Sequence, residues 1–250
     1  LDGKEIDAER KVIHEEWRSK RSARDRIYEQ TLPRLFPDGN RYAHRMPIGL
    51  MDVVDNCSHQ ALRDYYNRWY RPDLQAVIVV GDVDADAIET RIREFWSDVH
   101  VPVDAPQRTY YTVPDNEQPI VAIGTDPELQ DGTLRISFKY DPLTPHEFLS
   151  IEGQRDVFCR AMVLSLLSAR LGDYQQMGML PQGANVRFFD GDYSLAMTKK
   201  ALSATAGFQA DGWQNAMYML VYLMKQALEH GFSDEEFERV SQQIALSLSQ

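Results

Sequence analysis

The chain has 250 residues, 43% of them hydrophobic and 26% charged, the balance of a globular protein with enough material for one large or two ordinary domains. Acidic residues outnumber basic ones 38 to 27, for a formal charge of −11, and no Lys/Arg run is present to track a phosphate backbone, which argues against nucleic-acid binding. No apolar run reaches the length of a membrane span, and the two cysteines, Cys57 and Cys159, form no Cys-x-x-Cys unit of a zinc ribbon or thioredoxin-like site.

A first helix is predicted from Lys4 to about Glu29, with a basic, solvated far half from Ser19 to Arg26. Within it Glu9 and Glu16 stand two helical turns apart and point the same way, with Val12 and Ile13 between them. A carboxylate on the side that seeks the core is costly unless a metal, a cation or hydrogen bonds compensate it. The bland alternative is a solvated helix laced with i,i+4 ion pairs. His14, between Ile13 and Glu15, reads as solvent-facing, because adjacent helical residues point apart and cannot chelate one ion with Glu16.

Thr31 to Phe36 reads as a short second helical piece ended by Pro37-Asp38-Gly39-Asn40, and Arg41 to Asp55 as an extended loop. Ser58 is a fit N-cap for a helix from His59 to Trp69, with Leu62, Tyr66 and Trp69 on one face. Gln75 to Val83 is a near-continuous apolar strand suited to a sheet covered on both sides, and Asp84 caps the helix that follows. Pro102, Pro106, Pro114 and Pro119 mark an extended connection.

Beyond it, Ile120–Thr125 and Leu134–Tyr140 read as strands. Thr144-Pro145-His146-Glu147 has the form of a capping box, opening a helix that runs to Leu171. Cys159 sits among apolar neighbours and reads as a buried thiol, while a Cys57–Cys159 disulfide stays open. Asn185–Asp192 and Thr198–Gln209 suggest paired strands around Asp190-Gly191-Asp192. Trp213, Met217, Leu220, Val221, Met224 and Leu228 form a helical stripe in which methionine is core filler. Gly231 ends that helix, and Ser233 caps a last one that is still running at Gln250.

The run Glu9-Arg10-Lys11-Val12-Ile13-His14-Glu15-Glu16-Trp17-Arg18 resembles the third-ligand helix of the pitrilysin/insulinase family of zinc peptidases. Pro47-Ile48-Gly49, the Tyr65-Tyr66 to Tyr70-Arg71-Pro72 spacing, Val77-Ile78-Val79-Val80-Gly81-Asp82-Val83 and Leu166 to Gly172 are similar to later segments of the same family, so the likeness covers nearly the whole chain. The resemblance implies an α+β or α/β fold: tandem mixed-sheet domains with helices packed on one face. Residues 1–105 would be the back of a first, zinc-bearing domain, 106–118 a linker, and 119–250 the front of a second, non-catalytic domain.

The resemblance further implies that Glu16 is the third zinc ligand and Glu9 its supporting carboxylate. The inverted His-x-x-Glu-His helix that would supply two His ligands and the base is missing, since none of His14, His44, His59, His100, His146 and His230 has a histidine four positions away. Leu1-Asp2-Gly3 lacks an initiator Met, so a fragment of a longer chain is expected, inactive by itself. The parent would be a zinc metallopeptidase, with Zn2+ as its cofactor. It would cleave peptides or unfolded protein segments enclosed between two halves, the rest of its own chain or a second family half being its partner. The bacterial periplasm is the implied compartment. The alternative is a scaffold member that keeps the fold without the chemistry.

Overall fold

Ser22 divides the long N-terminal helix expected over residues 4–29. Its hydroxyl accepts from the Asp25 N–H at 3.3 Å while the Asp25 carboxylate accepts from the Ser22 N–H at 2.9 Å, a reciprocal cap that starts a new helix. The computed structural model describes residues 1–101, 103–180, 185–209 and 212–248. Pro102 of the expected connection, and the last two residues of the final expected helix, lie outside them.

In chain order the described elements are helices α1 (Gly3–Lys20), α2 (Ala23–Leu35), α3 (Met51–Asn56), α4 (His59–Trp69) and α5 (Ala85–Phe95), strand β1 (Asp131–Tyr140), helices α6 (Pro145–Phe148) and α7 (Ile151–Gln176), strands β2 (Val186–Tyr193) and β3 (Ala196–Gln209), and helices α8 (Trp213–His230) and α9 (Asp234–Leu248). A 3-10 turn at Arg41–His44 and α3 replace the loop expected between residues 41 and 55, the turn being capped by the Asn40 side chain. The chain divides into two compact units: Leu1–Lys20 with Met46–Tyr110, and Arg21–Arg45 with Tyr111–Gln250.

The second unit is α+β, as expected. Its sheet has the order β1-β3-β2 and is antiparallel throughout, with Leu134 opposite Ala206 and Phe188 opposite Ala204. Alanines at 204 and 206 keep the strand surface low, so Leu220 and Leu223 of α8 reach full burial against it, together with Val186 and Leu171. The hairpin turns after Tyr193, at Ser194 (φ +52°), and not at Asp190-Gly191-Asp192, which stays within β2. A second small core joins Met162 and Leu166 of α7 to Val240 of α9. Residues 21–45 belong here through side chains: Arg26 holds Asp126 in a two-point ion pair (2.6 and 2.8 Å), and Tyr193 Oη donates to the Leu35 carbonyl at 3.0 Å.

The helix expected from Thr144 to Leu171 is interrupted. The Thr144 capping box opens only the short α6, and Ser150 caps a fresh start by accepting from Gly153 N–H at 3.0 Å. A Cβ at Gly153 would lie 1.9 Å from the Glu147 carbonyl oxygen, so the break can be this tight only with glycine there. Gly153→Ala is expected to force the two helices apart and cost about 2 kcal/mol, measurable as a lower urea midpoint. One side of α7 is buried, but Phe158 and Val163 are exposed, and Cys159 is an exposed free thiol, not a buried one; Cys57 is also free. Val163 lies four positions after Cys159 and Phe158 next to it, which places Cys159 on the outward side with them.

Residues 120–125, expected as a strand, form no ladder with another described strand. Thr125 instead exchanges two hydrogen bonds with the Gln30 side chain, at 3.1 and 3.2 Å, and Gly124 comes close enough to α2 that a Cβ would sit 3.1 Å from the Ile27 carbonyl. The first unit departs further from expectation. Gln75–Val80 has no strand partner among the described residues, and Leu62 and Tyr66 of α4 are exposed. No helix among the described residues is long and apolar enough to cross a membrane.

Candidate metal-ligand helix

Helix α1 is docked by polar contacts more than by apolar burial. Within its unit, Arg10 donates to the carbonyl oxygens of Val54 and Cys57 at the end of α3 (the latter at 2.6 Å) and reaches Cys57 Sγ at 3.3 Å. His14 pairs with Asp55 at 2.7 Å, and Asp7 with His59 at the start of α4, also at 2.7 Å. The bond from His59, then the nearby Arg10, holds the Asp7 carboxyl below its usual range. Asp7, Arg10 and His14, spaced i, i+3 and i+7, thus form one ridge against α3 and α4. His14, expected to face solvent, is half-buried in this contact.

At 100° per residue, Glu9 and Glu16 lie roughly 140° around the axis from that ridge. Glu9 is exposed. The Glu16 side chain is 43% exposed and pairs with Lys20 one turn on. Val12, expected beside them on a core-seeking stripe, is 56% exposed, while Ile6 is buried and Ile13 half-buried. The inward side of α1 is therefore the Ile6–Arg10–Ile13 side, because the acceptors available in this unit are the carbonyls at the end of α3 and not an apolar surface. The two glutamates share a side as their spacing requires, but along α1 they are about 10 Å apart and cannot bind one ion together. No group of three His, Cys, Asp or Glu able to hold a metal ion is found among the described residues.

Glu16 has the right chemistry for a zinc ligand, a carboxylate whose present partner is an exposed lysine that a divalent ion would displace. One oxygen donor is far short of the three protein ligands that an open catalytic zinc site uses, so the residues present fit as a contributor and not as a complete site. Arg10 escaped the sequence reading. Its acceptors are 44 and 47 residues away, beyond any local pattern.

Comparison with known proteins adds an independent line. The family pattern described as the peptidase M16 inactive domain matches residues 56–244. The probable zinc protease PqqL of Escherichia coli K12 is 29% identical over 238 residues, which cover 94% of this chain but 25% of that protein. The crystal structure of the periplasmic protease PqqL from Escherichia coli superposes with a TM-score of 0.79 at 25% identity, covering 99% of this chain and 27% of that one. The first half of the same protease gives 0.77 at 26% identity, with 99% of this chain and 52% of that one covered. The chain thus spans about a quarter of the length of the full-length relatives it matches.

Proposed function

This chain belongs to the peptidase M16 family, and from that membership we propose that it is a segment of a zinc metallopeptidase in which Glu16 of α1 supplies one metal ligand and Glu9 supports it. The observation that carries the reading is a glutamate held on the outward side of a helix whose other side is locked down by Arg10, His14 and Asp7. A ligand must be presented to a metal whose other ligands come from elsewhere, and a pinned helix with an outward carboxylate does that. Zinc, when bound, would polarise the scissile carbonyl and acidify its water. For this chain's own residues, Glu16 donates a carboxylate oxygen, Lys20 gives up its partner, and Glu9, two turns earlier on the same side, adds negative charge that supports the bound cation. The substrates proposed are peptides or unfolded segments, enclosed by this segment together with the remainder of a two-half protein, in the bacterial periplasm as for PqqL. Residues 1–105 and 119–250 are proposed to belong to its first and second domains, joined through 106–118.

The test is zinc content. In a protein of the relatives' length, Glu16→Gln is expected to lower zinc affinity at least about tenfold and to remove peptidase activity, with Glu9→Gln weakening both less. The 250-residue chain alone is expected to hold no zinc at micromolar metal and to cleave no peptide. Activity from this chain alone, or full zinc retention by Glu16→Gln, would overturn the assignment.

A further inference from the structure

The two faces of the β1-β3-β2 sheet differ in kind. Side chains alternate between faces along a strand, so Leu134, Ile136 and Phe188 pack with Ala204 and Ala206 into the core against α8, while Thr133, Arg135, Arg187 and Thr205 stand on the other face. Thr205 is opposite Arg135 on one side and Arg187 on the other, so the two arginines flank it in one row, about 10 Å apart. In the next row Gly207 is opposite Thr133 and donates its N–H to the Asn185 carbonyl at 3.0 Å. A Cβ at Gly207 would lie 3.8 Å from Asn185 Cβ, an ordinary contact, so the floor there is bare backbone with room above it. Together with Arg24 of α2 these residues line a depression of about 360 Å³, all within the second unit. That volume is near the small end for ligand sites, enough for a short stretch of peptide and too little for a folded partner.

Charge on this face is unbalanced. Arg24 pairs with Asp131 at 2.7 Å, and both side chains are more than half exposed. Arg135 lies over the Phe189 ring, 5.4 Å from its centre, and Arg187 is exposed; among the described residues neither has a carboxylate partner. Three guanidinium groups therefore stand against one carboxylate, on a chain whose formal charge is −11. We propose that this depression binds an acidic side chain of an unfolded peptide segment. Arg187 takes the carboxylate, Arg24 becomes its second donor as Asp131 gives way, and the Thr133, Thr205 and Asn185 side chains hydrogen-bond the flanking peptide groups. A guanidinium matches a carboxylate at two points, and a solvent-exposed pair such as Arg24–Asp131 is worth little, so exchange of one carboxylate for another is cheap. A polyanion is the poorer occupant, because the net negative charge of the chain opposes each further charge it carries. That the bound segment is a substrate rests on the peptidase reading; the binding itself does not, since none of these residues lies on α1.

The test is fluorescence anisotropy of a labelled, end-capped Gly/Ser peptide carrying one central glutamate, against its glutamine twin, with the 250-residue chain at low salt. The glutamate peptide is expected to bind about fivefold tighter than the twin. Arg187→Gln should erase that preference, whereas Asp131→Asn, which removes the competing carboxylate and frees Arg24, should tighten glutamate binding by about fivefold. Both side chains are exposed, so the urea midpoints should not move, and effects of opposite sign cannot both come from damage to the fold. Equal binding of the two peptides, a preference that survives Arg187→Gln, no gain from Asp131→Asn, or tighter binding of inorganic tripolyphosphate than of the glutamate peptide each overturns the proposal. None of these readouts involves zinc or cleavage, so they fail or succeed separately from the metal assignment.

Discussion

Arg170→Met is expected to destabilise the second unit by about 3 kcal/mol, because it leaves Glu236 as an unpaired, largely buried carboxylate. Arg170 grips α9 from α7 at several points: Nε and Nη2 donate to the two Glu236 oxygens, each at 2.7 Å, Nη2 also donates to the Gly231 carbonyl at 2.8 Å, and the guanidinium lies 4.5 Å from the Phe232 ring centre. Glu236 in turn accepts from the Ser233 N–H that begins α9, so one arginine fixes both the helix and its cap. The same pair sets an acid limit. Arg170 first, then the Ser233 N–H, draws the Glu236 carboxyl down to about 2 from an ordinary 4.5. A carboxyl whose folded pKa lies below its unfolded one stabilises the fold above the unfolded value and loses that contribution as pH falls toward the folded one. Wild-type stability should therefore drop between about 4.5 and 2, while Arg170→Met starts lower and shows a shallower decline over that window. Parallel stability–pH curves for the two proteins would show that the pair does not anchor α9.

Leu220→Ala is expected to cost about 3 kcal/mol, read as a fall in the urea midpoint at unchanged slope. Leu220 is wholly buried between α8 and the sheet, and its neighbours Ala204, Ala206 and Ala216 carry no side chain that could swing into the space. The cavity would therefore stay open, which keeps the cost above the roughly 2 kcal/mol at the low end of such truncations. Leu228→Ala on the same helix, 84% exposed, is expected to change the midpoint by less than about 0.5 kcal/mol. Equal effects at the two positions would mean that α8 does not pack on the sheet as described.

Local signals were legible wherever the deciding contacts are local. Ser58, Asp84, Thr144 and Gly231 were all recognisable as caps, and each performs that role, because a cap is settled within four residues. The Trp213–Leu228 stripe marked α8 as a helix but misplaced its inward side: Ala216, Met219, Leu220 and Leu223 are buried, while Trp213, Met217, Val221 and Leu228 of the expected stripe are exposed. Ser22 and Ser150 were overlooked as caps, since each sits inside a pattern that continues in register on both sides. Gln75–Val83 and Ile120–Thr125 were apolar enough to read as strands, but a ladder needs a second strand that no single segment can announce. The family was readable from spaced residues across the chain, and its recognition stands. The seven-residue spacing of Glu9 and Glu16 was plain. That the helix would turn them away from its own unit was not, because the rotation is set by Arg10 reaching carbonyls on α3.

The course of the chain through its two units has a practical outcome for anyone cutting it. The backbone passes from one unit to the other at Lys20/Arg21, returns at Arg45/Met46, and leaves again at Tyr110/Tyr111. A protease that nicks the peptide bond near Pro106 therefore releases nothing: the N-terminal product still carries α2 folded into the other unit by Arg26 and Leu35. The two products should co-elute until denaturant is added, like a lace that stays threaded after it has been snipped once.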